Sequence, residues 1–164
     1  MRFLAALIIL LLPFSAAAQG APQLLQQFNA WEAYRYESDG QVVCYILSRP
    51  QTLAPTNRNH GDVFFFVSHR PAQNVEREAS VLVGYPFAEG STVTVDVDGR
   101  EFTLFTKDDG AWLESPAEEQ QLVAAMRAGR QMTVSGRSAR GTDTTYTFSL
   151  SGVTAGTNRI ADCR

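Results

Sequence analysis

The sequence is poor in the residue types that build most catalytic and metal sites. Its 164 residues include two histidines and two cysteines, and it has no CxxC pair, HExxH motif, EF-hand loop or glycine-rich phosphate loop. His60 and His69, nine residues apart, do not have the ligand spacing of a zinc site. We therefore expect no bound metal and no cofactor.

The chain also lacks a large excess or a cluster of charge of one sign. The chain has 14 Lys and Arg residues against 17 Asp and Glu residues, which gives a net charge of −3 without a basic stripe or an acidic tail. Domains that bind nucleic acid usually carry clustered positive charge. Nucleic acid is therefore not an expected partner.

The one long apolar run lies at the start of the chain. Ten apolar residues, Phe3 to Leu12, follow a single arginine and precede the small residues Ala16-Ala17-Ala18. A membrane-spanning helix needs about 20 apolar residues, whereas this shorter pattern is typical of a secretory signal peptide. The sequence therefore predicts a cleaved signal peptide at residues 1–18.

Cleavage at that point leaves residues 19–164, which are 146 residues with a net charge near −4. This length is usual for a single domain with one hydrophobic core. We expect a single exported domain, periplasmic or secreted, with no membrane span. Its expected partner is an unidentified protein or envelope component.

Two apolar segments define the predicted core. Val63 to His69 and Ala79 to Tyr85 are rich in β-branched and aromatic residues. In the first segment apolar residues occupy both the odd and the even positions, which point to opposite faces of a strand. This predicts a central strand that is covered on both faces. Pro71 and the polar residues after it predict a turn that brings the chain back to the second strand.

Turn signals predict where the other strands begin and end. Asp39-Gly40 predicts a hairpin between Trp31–Tyr36 and a buried strand at Val42–Leu47, and Asp98-Gly99 predicts a second hairpin with a type I′ turn. Pro50–Gly61 is expected to be a surface loop. Two more strands are expected at Gln131–Gly136 and Thr144–Leu150.

A single helix interrupts this β pattern. Ser115, Pro116 and Glu118 have the arrangement of a capping box, and apolar residues recur at helical spacing as far as Gly129. Eight or nine short strands with one helix on a connection predict a mostly β fold. We expect an antiparallel β-sandwich with Ig-like topology, with a barrel-like closure as the alternative.

Few residues suggest chemistry. His69 and Arg70 lie beside a predicted loop and are the candidates for an enzyme site, although a histidine at a strand end is more often a hydrogen-bonded structural residue. The loop from Gly136 to Thr142 carries two arginines that could bind an anion, but a solvated turn is the commoner interpretation. Gly84-Tyr85-Pro86-Phe87 is interpreted as a packed corner rather than an exposed recognition edge.

Cys44 and Cys163 are the only cysteines of the chain. An even number of cysteines in an exported protein predicts a disulfide, and the alternative is a pair of free thiols. Cys44 lies in a predicted core strand, whereas the tail from Gly152 onwards has little apolar content to hold it down. We therefore predict a structural Cys44–Cys163 bond that tethers this tail.

Several long segments occur in a characteristic order: VCYILSRP, RNHGDVFFFVSHRPAQNV, EASVLVGYPFAEGS and GRSARGTDTTYTFSLSG. Together with FNAW upstream, they resemble the invasion-associated locus B family of exported bacterial proteins, over about Phe28 to Cys163. The resemblance implies a β-sandwich domain in the periplasm or outside the cell, without catalytic residues. It also implies a link to the invasion of host cells in some members.

Two classes of function follow. The favoured hypothesis is an exported, non-catalytic envelope or secreted protein with an accessory or binding role. The alternative is a periplasmic enzyme with a site near His69 and Arg70. A packed His69 favours the first, whereas a closed pocket that converges on His69 favours the second.

Overall fold

A computed structural model describes residues 20–163, so the signal peptide predicted for residues 1–18 lies outside the described residues. Secondary structure accounts for most of the described chain. The strands are β1 (Gln23–Phe28), β2 (Trp31–Ser38), β3 (Gln41–Ser48), β4 (Thr52–Ala54), β5 (Phe64–Arg70), β6 (Val75–Leu82), β7 (Thr92–Val97), β8 (Arg100–Lys107), β9 (Gly110–Trp112), β10 (Gln131–Arg137) and β11 (Asp143–Ser149). The helices are α1 (Pro116–Ala128) and α2 (Val153–Ala161).

All eleven strands belong to one antiparallel sheet, in the order β1-β2-β3-β5-β6-β9-β8-β7-β10-β11-β4. The three-residue strand β9 joins the two halves because it pairs with β6 on one side and β8 on the other. The halves face each other across the core, where the rings of Phe65 and Phe148 have centroids 5.9 Å apart. The predicted antiparallel β-sandwich is confirmed, and a single continuous sheet supplies both of its layers.

Both predicted hairpins are confirmed. Strands β2 and β3 meet at Asp39 and Gly40, which have φ angles of 52° and 74°, and strands β7 and β8 meet at Asp98 and Gly99, with 48° and 93°. Two successive positive φ angles are the requirement of a type I′ turn, and they suit Asp-Gly pairs. Local turn chemistry therefore sets the register of these strands.

Strand β5 is central, as predicted, but its two faces differ. Phe65 and Val67 are fully buried, whereas Phe64 and Phe66 on the opposite face remain half-exposed. The prediction of a strand covered on both faces is therefore wrong. On the outer face aromatic rings cover one another instead: Phe66 packs against Phe64 and Tyr45 at centroid distances of 5.7 and 5.8 Å.

The turn after β5 is shorter than the sequence predicts. Pro71–Gln73 form a single 3-10 turn that ends at Asn74 with a φ angle of 56°, and Val75 already pairs with Arg70. The second core strand therefore begins at Val75 rather than Ala79. It ends at Leu82, because the chain then leaves the sheet toward the corner at residues 84–87.

Two of the eleven strands lie where the sequence predicts none. The residues before the predicted strand at Trp31 form β1, an edge strand beside β2. Within the predicted surface loop Pro50–Gly61, β4 forms the opposite edge beside β11. Backbone pairing at a sheet edge needs little apolar pattern, so periodicity did not reveal either strand.

Helix α1 begins where the capping box predicts. The Glu118 N–H donates to the Ser115 Oγ over 3.3 Å, and the Ser115 hydroxyl donates to the Glu118 carboxylate over 2.9 Å. Pro116 occupies the first turn and Gly129 caps the end. Leu122, Val123 and Met126 form the buried face of the helix.

Replacing the N-cap serine should weaken the protein. We expect Ser115→Ala to lower the free energy of unfolding by about 1 kcal/mol, because the amide of Glu118 loses its acceptor. Urea unfolding of the oxidised protein measures this loss. Ser115→Asp keeps an acceptor oxygen and should retain most of the stability, so an equal loss in both variants would contradict the role of the cap.

The C-terminal tail contains a helix that the sequence did not indicate. In α2, Val153, Gly156 and Ile160 are buried, and a Cβ added to Gly156 would lie 3.0 Å from the Cγ2 atom of Ile46. The helix therefore packs closely on β3, and the expectation that the tail has little apolar content to hold it down is wrong. Neither helix of the described chain has the length and apolar character needed to cross a membrane.

The predicted disulfide is present in the structure. Cys44, buried in β3, is bonded to Cys163, one residue beyond the turn that ends α2, and their Cα atoms are 6.2 Å apart. This bond and the buried face of α2 hold the same end of the chain against the sheet. The tether predicted from the sequence thus acts on an ordered helix.

Candidate functional site

A cleft of about 620 Å³ lies at one end of the sandwich. Three segments form its walls: residues 57–61, residues 84–86 and residues 138–142, with Thr144 beside them. Each segment belongs to a different block of the sequence. Three of the segments that carry the family resemblance, containing RNHGD, VGYPF and GRSARGT, therefore meet at one place.

The first two walls are held together by backbone contact. The Gly84 N–H donates to the His60 carbonyl over 3.1 Å. A Cβ on Gly84 would lie 2.5 Å from the Gly61 Cα, and Gly61 has a φ angle of +63°. Real side chains do not tolerate such a contact, so the two glycines are what allow these backbones to touch.

The third wall is a tight turn tied to the corner at residues 84–87. The Ala139 N–H donates to the Pro86 carbonyl over 2.9 Å, and the Gly141 N–H donates back to the Ser138 carbonyl over 2.8 Å. Phe87 is buried, as expected for a packed corner, whereas Gly84 and Pro86 are exposed and Tyr85 is half-buried. The turn nevertheless leaves Arg140 exposed at the rim of the cleft.

A chain of hydrogen bonds runs along the floor of the cleft, and we call it the His60–Thr144 chain. His60 Nδ1 lies 2.9 Å from the Tyr146 hydroxyl, which lies 2.7 Å from the Tyr85 hydroxyl, which lies 2.6 Å from the Thr144 Oγ1. At the other end, His60 Nε2 lies 2.9 Å from the Pro55 carbonyl. His60, Thr144 and Tyr146 are buried, and Tyr85 is half-buried.

The acceptor at Pro55 fixes the directions along this chain. A carbonyl oxygen accepts only, so the His60 Nε2 must carry a proton. In the neutral ring Nδ1 then accepts from the Tyr146 hydroxyl, which in turn accepts from Tyr85. Every polar atom of His60 is therefore satisfied inside the protein.

The phenol of Tyr146 stays neutral in this setting. Burial raises its pKa far above the usual value, and the hydrogen bond with Tyr85 adds to the rise. A phenolate nucleophile is thus disfavoured at the floor of the cleft. The His60–Thr144 chain connects the loop at residues 57–61 to strand β11 and stabilises the shape of the cleft.

Removing one hydroxyl from this chain should be costly. We expect Tyr146→Phe to lower the free energy of unfolding by about 1–3 kcal/mol, because His60 Nδ1 and the Tyr85 hydroxyl each lose a buried partner. Tyr34→Phe is the matched control, since the Tyr34 hydroxyl bonds to Glu32 on the half-exposed outer face. Chemical denaturation of both variants measures the loss of unfolding free energy. Equal losses would contradict the expectation that the buried hydroxyl of Tyr146 contributes more than the half-exposed hydroxyl of Tyr34.

The rim of the cleft is positively charged. Arg58 and Arg140 line it and are exposed, and no Asp or Glu is among its lining residues. Asp143, which follows the third wall, is bound to Arg137 at 3.0 Å. Within residues 20–163, no group of three or more His, Cys, Asp or Glu side chains is arranged to hold a metal ion.

The sequence-predicted candidates His69 and Arg70 lie outside the lining of this cleft. His69 pairs with Cys44 across the sheet, and its Nδ1 lies 3.1 Å from the Glu76 carbonyl. Arg70 donates two hydrogen bonds to the carboxylate of Glu78, of 2.9 and 2.6 Å. Both side chains therefore have structural partners, as expected for residues of the sheet.

A second, smaller cavity of about 290 Å³ lies between β6 and the start of α1. Glu119 lines it, and burial raises the pKa of its carboxyl to about 7, with Glu78 adding to the rise and Arg70 opposing it. Glu119 lies in the first turn of α1, where the helix dipole favours a carboxylate. Burial and the nearby Glu78 make the charged form unfavourable instead.

This carboxyl should make stability depend on pH. A pKa raised from 4.5 to about 7 means that the folded state binds more protons than the unfolded state, so stability should fall as the pH rises through that window. We expect Glu119→Gln to flatten this fall and to be more stable than the parent at pH 8. The urea concentrations at the midpoint of unfolding, compared between pH 5 and pH 8, measure this pH dependence. The exposed Glu114→Gln is the control, and the same flattening there would contradict the assignment to Glu119.

The sequence singles out His69, as the candidate of the enzyme alternative, and does not single out His60. His60 was placed on a surface loop, yet it is 6% exposed, and Tyr85, Thr144 and Tyr146 were not connected to it. One signal was available: Tyr146 alternates with Phe148 on the face of β11 that points into the core. A hydroxyl at such a position requires a buried partner.

Comparison with known proteins agrees with the fold. The family model described as Invasion associated locus B (IalB) protein matches residues 32–161. The crystal structure of invasion associated protein b from Bartonella henselae is similar, with a TM-score of 0.60 and 15% sequence identity, covering 84% of this chain and 96% of that chain. At that identity the likeness concerns the fold alone. The chain matches none of the curated proteins.

Proposed function

Because this chain belongs to the invasion associated locus B family, we propose that it is an exported protein with a non-catalytic binding or accessory role in the bacterial envelope or outside the cell. One observation carries the proposal. The reactive groups on the floor of the cleft bind one another, while arginine and amide side chains remain at its rim. This arrangement suits recognition of a ligand better than its chemical conversion.

The contacts of His69 and Arg70 support the same choice over an enzyme at that position. A general base needs a free nitrogen within reach of its substrate. The Glu76 carbonyl only accepts, so His69 Nδ1 carries the proton and Nε2 is the free nitrogen, but His69 does not line the cleft. The Arg70 guanidinium is occupied by Glu78 and Gln73. Neither residue places a reactive group in the cleft.

Two features support export. Residues 1–18 have the pattern of a secretory signal peptide, and the Cys44–Cys163 bond suits an oxidising compartment. Expression of the full chain in a Gram-negative host, followed by cell fractionation and intact mass measurement, tests this part. We expect a periplasmic or secreted protein that begins at Gln19 and has no free thiol. An uncleaved, reduced chain in the cytoplasm would overturn export.

The non-catalytic role is tested on the exported protein. We expect no turnover above background with ester, phosphoester, glycoside and peptide substrates, and saturable retention of an envelope component on the immobilised protein. Turnover that disappears in a folded His60→Asn or His69→Ala variant would establish an enzyme instead. These variants also separate the two histidines as candidate bases.

A contribution to the invasion of host cells is the most specific part of the proposal. The names of the family and of the Bartonella henselae protein suggest it. A deletion strain, its complemented derivative and the parent would be compared for uptake by cultured cells. We expect reduced uptake that complementation restores, and equal uptake by all three strains would remove this part of the proposal.

A further inference from the structure

The geometry points to the cleft as a binding site for a small hydroxylated anion, such as a phosphorylated or carboxylated sugar, held by Arg58 and Arg140. This inference rests on the proposed binding function and specifies the chemistry of its ligand. It draws on the charge of the rim, the neutral polar groups of the walls and the shape of the floor.

The charge of the rim is opposite in sign to the net charge of the chain. The chain as a whole is negative, with a net charge of −3, but the cleft is lined by two arginines and by no carboxylate. Arg70 and Arg137 are held by Glu78 and Asp143, whereas Arg58 and Arg140 make no ion pair within residues 20–163. Asp62, next to the first wall, is exposed to solvent.

Arginine at such a rim selects for oxyanions. The planar guanidinium presents paired N–H groups that match the two oxygens of a carboxylate or phosphate. A surface arginine without an acidic partner keeps these donors available for a ligand. The two arginines lie on different walls of the cleft, in residues 57–61 and residues 138–142.

The walls add neutral donors and acceptors. Asn59 uses its carbonyl to accept the Gly61 N–H over 3.0 Å, so its amide N–H groups remain for a ligand. The Ser138 Oγ accepts from the Thr142 N–H over 3.1 Å, which leaves its hydroxyl proton. Asn57 also lines the cleft. Several neutral polar groups around one charged pair suit a ligand with many hydroxyls.

The size and rigidity of the cleft agree with a small molecule. Its volume of about 620 Å³ lies within the range of pockets that enclose small ligands. The Gly61–Gly84 contact and the His60–Thr144 chain hold two of its walls in place. Tyr85 and Pro86 supply an apolar surface on which the C–H face of a sugar ring can pack.

The probes separate the possible sources of an oxyanion. The exported protein, purified in its oxidised form and labelled with ¹⁵N, would be titrated with glucose 6-phosphate, glucuronate, glucose, inorganic phosphate and vesicles that contain phosphatidylglycerol. We expect saturable amide shifts in residues 57–61 and 138–142 with the two sugar anions. Affinity for glucose and for inorganic phosphate should be weaker by about tenfold or more, since each lacks one half of the recognised chemistry.

Paired variants test the residues. Arg58→Gln/Arg140→Gln should weaken binding of both sugar anions by about tenfold or more, while its amide spectrum stays that of a folded protein. Arg77→Gln/Arg130→Gln removes the same charge away from the cleft and should bind as the parent does. Both residues of the first pair are exposed, so their replacement should not disturb folding.

Several results would overturn the inference. These are the absence of saturable shifts, shifts confined to other parts of the protein, glucose or inorganic phosphate bound as tightly as the sugar anions, binding to the vesicles alone, and undiminished binding in the folded Arg58→Gln/Arg140→Gln variant. If the sugar anions fail while the protein still retains an envelope component, the ligand class is wrong and the proposed function stands. Turnover in the substrate panel would remove the function itself.

Discussion

Loss of the Cys44–Cys163 bond is expected to lower the free energy of unfolding by about 2 to 4 kcal/mol, with on the order of 5 kcal/mol as the chain-entropy limit. The bond joins residues 119 apart in the sequence, so it closes a loop that contains most of the chain. Such a crosslink restricts the unfolded state strongly. In the folded state it also fixes the end of α2 against β3.

The reduced protein should also lose local order first at its C terminus. A nine-residue helix has little stability of its own and depends on packing, so amide exchange in α2 should accelerate more than exchange in β3. Urea unfolding and hydrogen exchange would be measured for the oxidised protein, the reduced protein and Cys44→Ala/Cys163→Ala. The reductant should leave the double variant unchanged. Coincident unfolding curves for the oxidised and reduced parent would contradict a stabilising role.

Truncation of Trp31 is expected to have an effect of similar size. We predict that Trp31→Ala lowers the free energy of unfolding by about 3–5 kcal/mol, as is typical for a large aromatic residue removed from a core. Trp31 is fully buried and packs edge-on against Phe65 with centroids 6.2 Å apart. Its Nε1–H donates to the Ser149 carbonyl over 3.0 Å, which links β2 to β11 in the opposite layer.

Trp112→Ala provides the matched control for this prediction. Trp112 is the other tryptophan of the chain, and it lies half-exposed on the outer face beside Phe105. It buries less surface and spans no second layer, so its truncation should cost distinctly less. Equal losses in urea unfolding would mean that the contact between the layers contributes little. A Trp31→Phe variant should recover much of the loss, because it restores apolar volume without the hydrogen bond to Ser149.

The outer aromatic face shows where apolar patterning misleads. Phe64 and Phe66 gave β5 the pattern of a doubly covered strand, but they pack on neighbouring rings and on Arg49, whose guanidinium lies 4.8 Å above the Phe64 ring centroid. Cross-strand aromatic pairs can cover a sheet surface without a second layer. Hydrophobicity alone does not distinguish these two situations.

The cleft shows that local sequence patterns do not indicate which loops meet in the folded protein. The sequence predicts the separate loops, and the two arginines of the loop from Gly136 to Thr142 allow an anion to bind there. What the sequence did not indicate was that residues 57–61 and 84–86 lie against that loop. Their meeting depends on long-range strand pairing and on the glycine contact between Gly61 and Gly84, which local patterns do not encode.

The sequence by itself determined the features that depend on neighbours along the chain: the Asp-Gly hairpins, the capped helix α1, the alternation of the inward-facing strands and, through an even cysteine count, the disulfide. Turn geometry, capping and period-two burial act over a few residues, which is why they can be read directly. Only the tertiary structure decided that the tail forms α2, that His60 is buried rather than exposed, and that three distant loops share one cleft. Those outcomes depend on which surfaces the folded sheet brings together, because a short helix or a polar side chain is stabilised there by partners far away in the sequence.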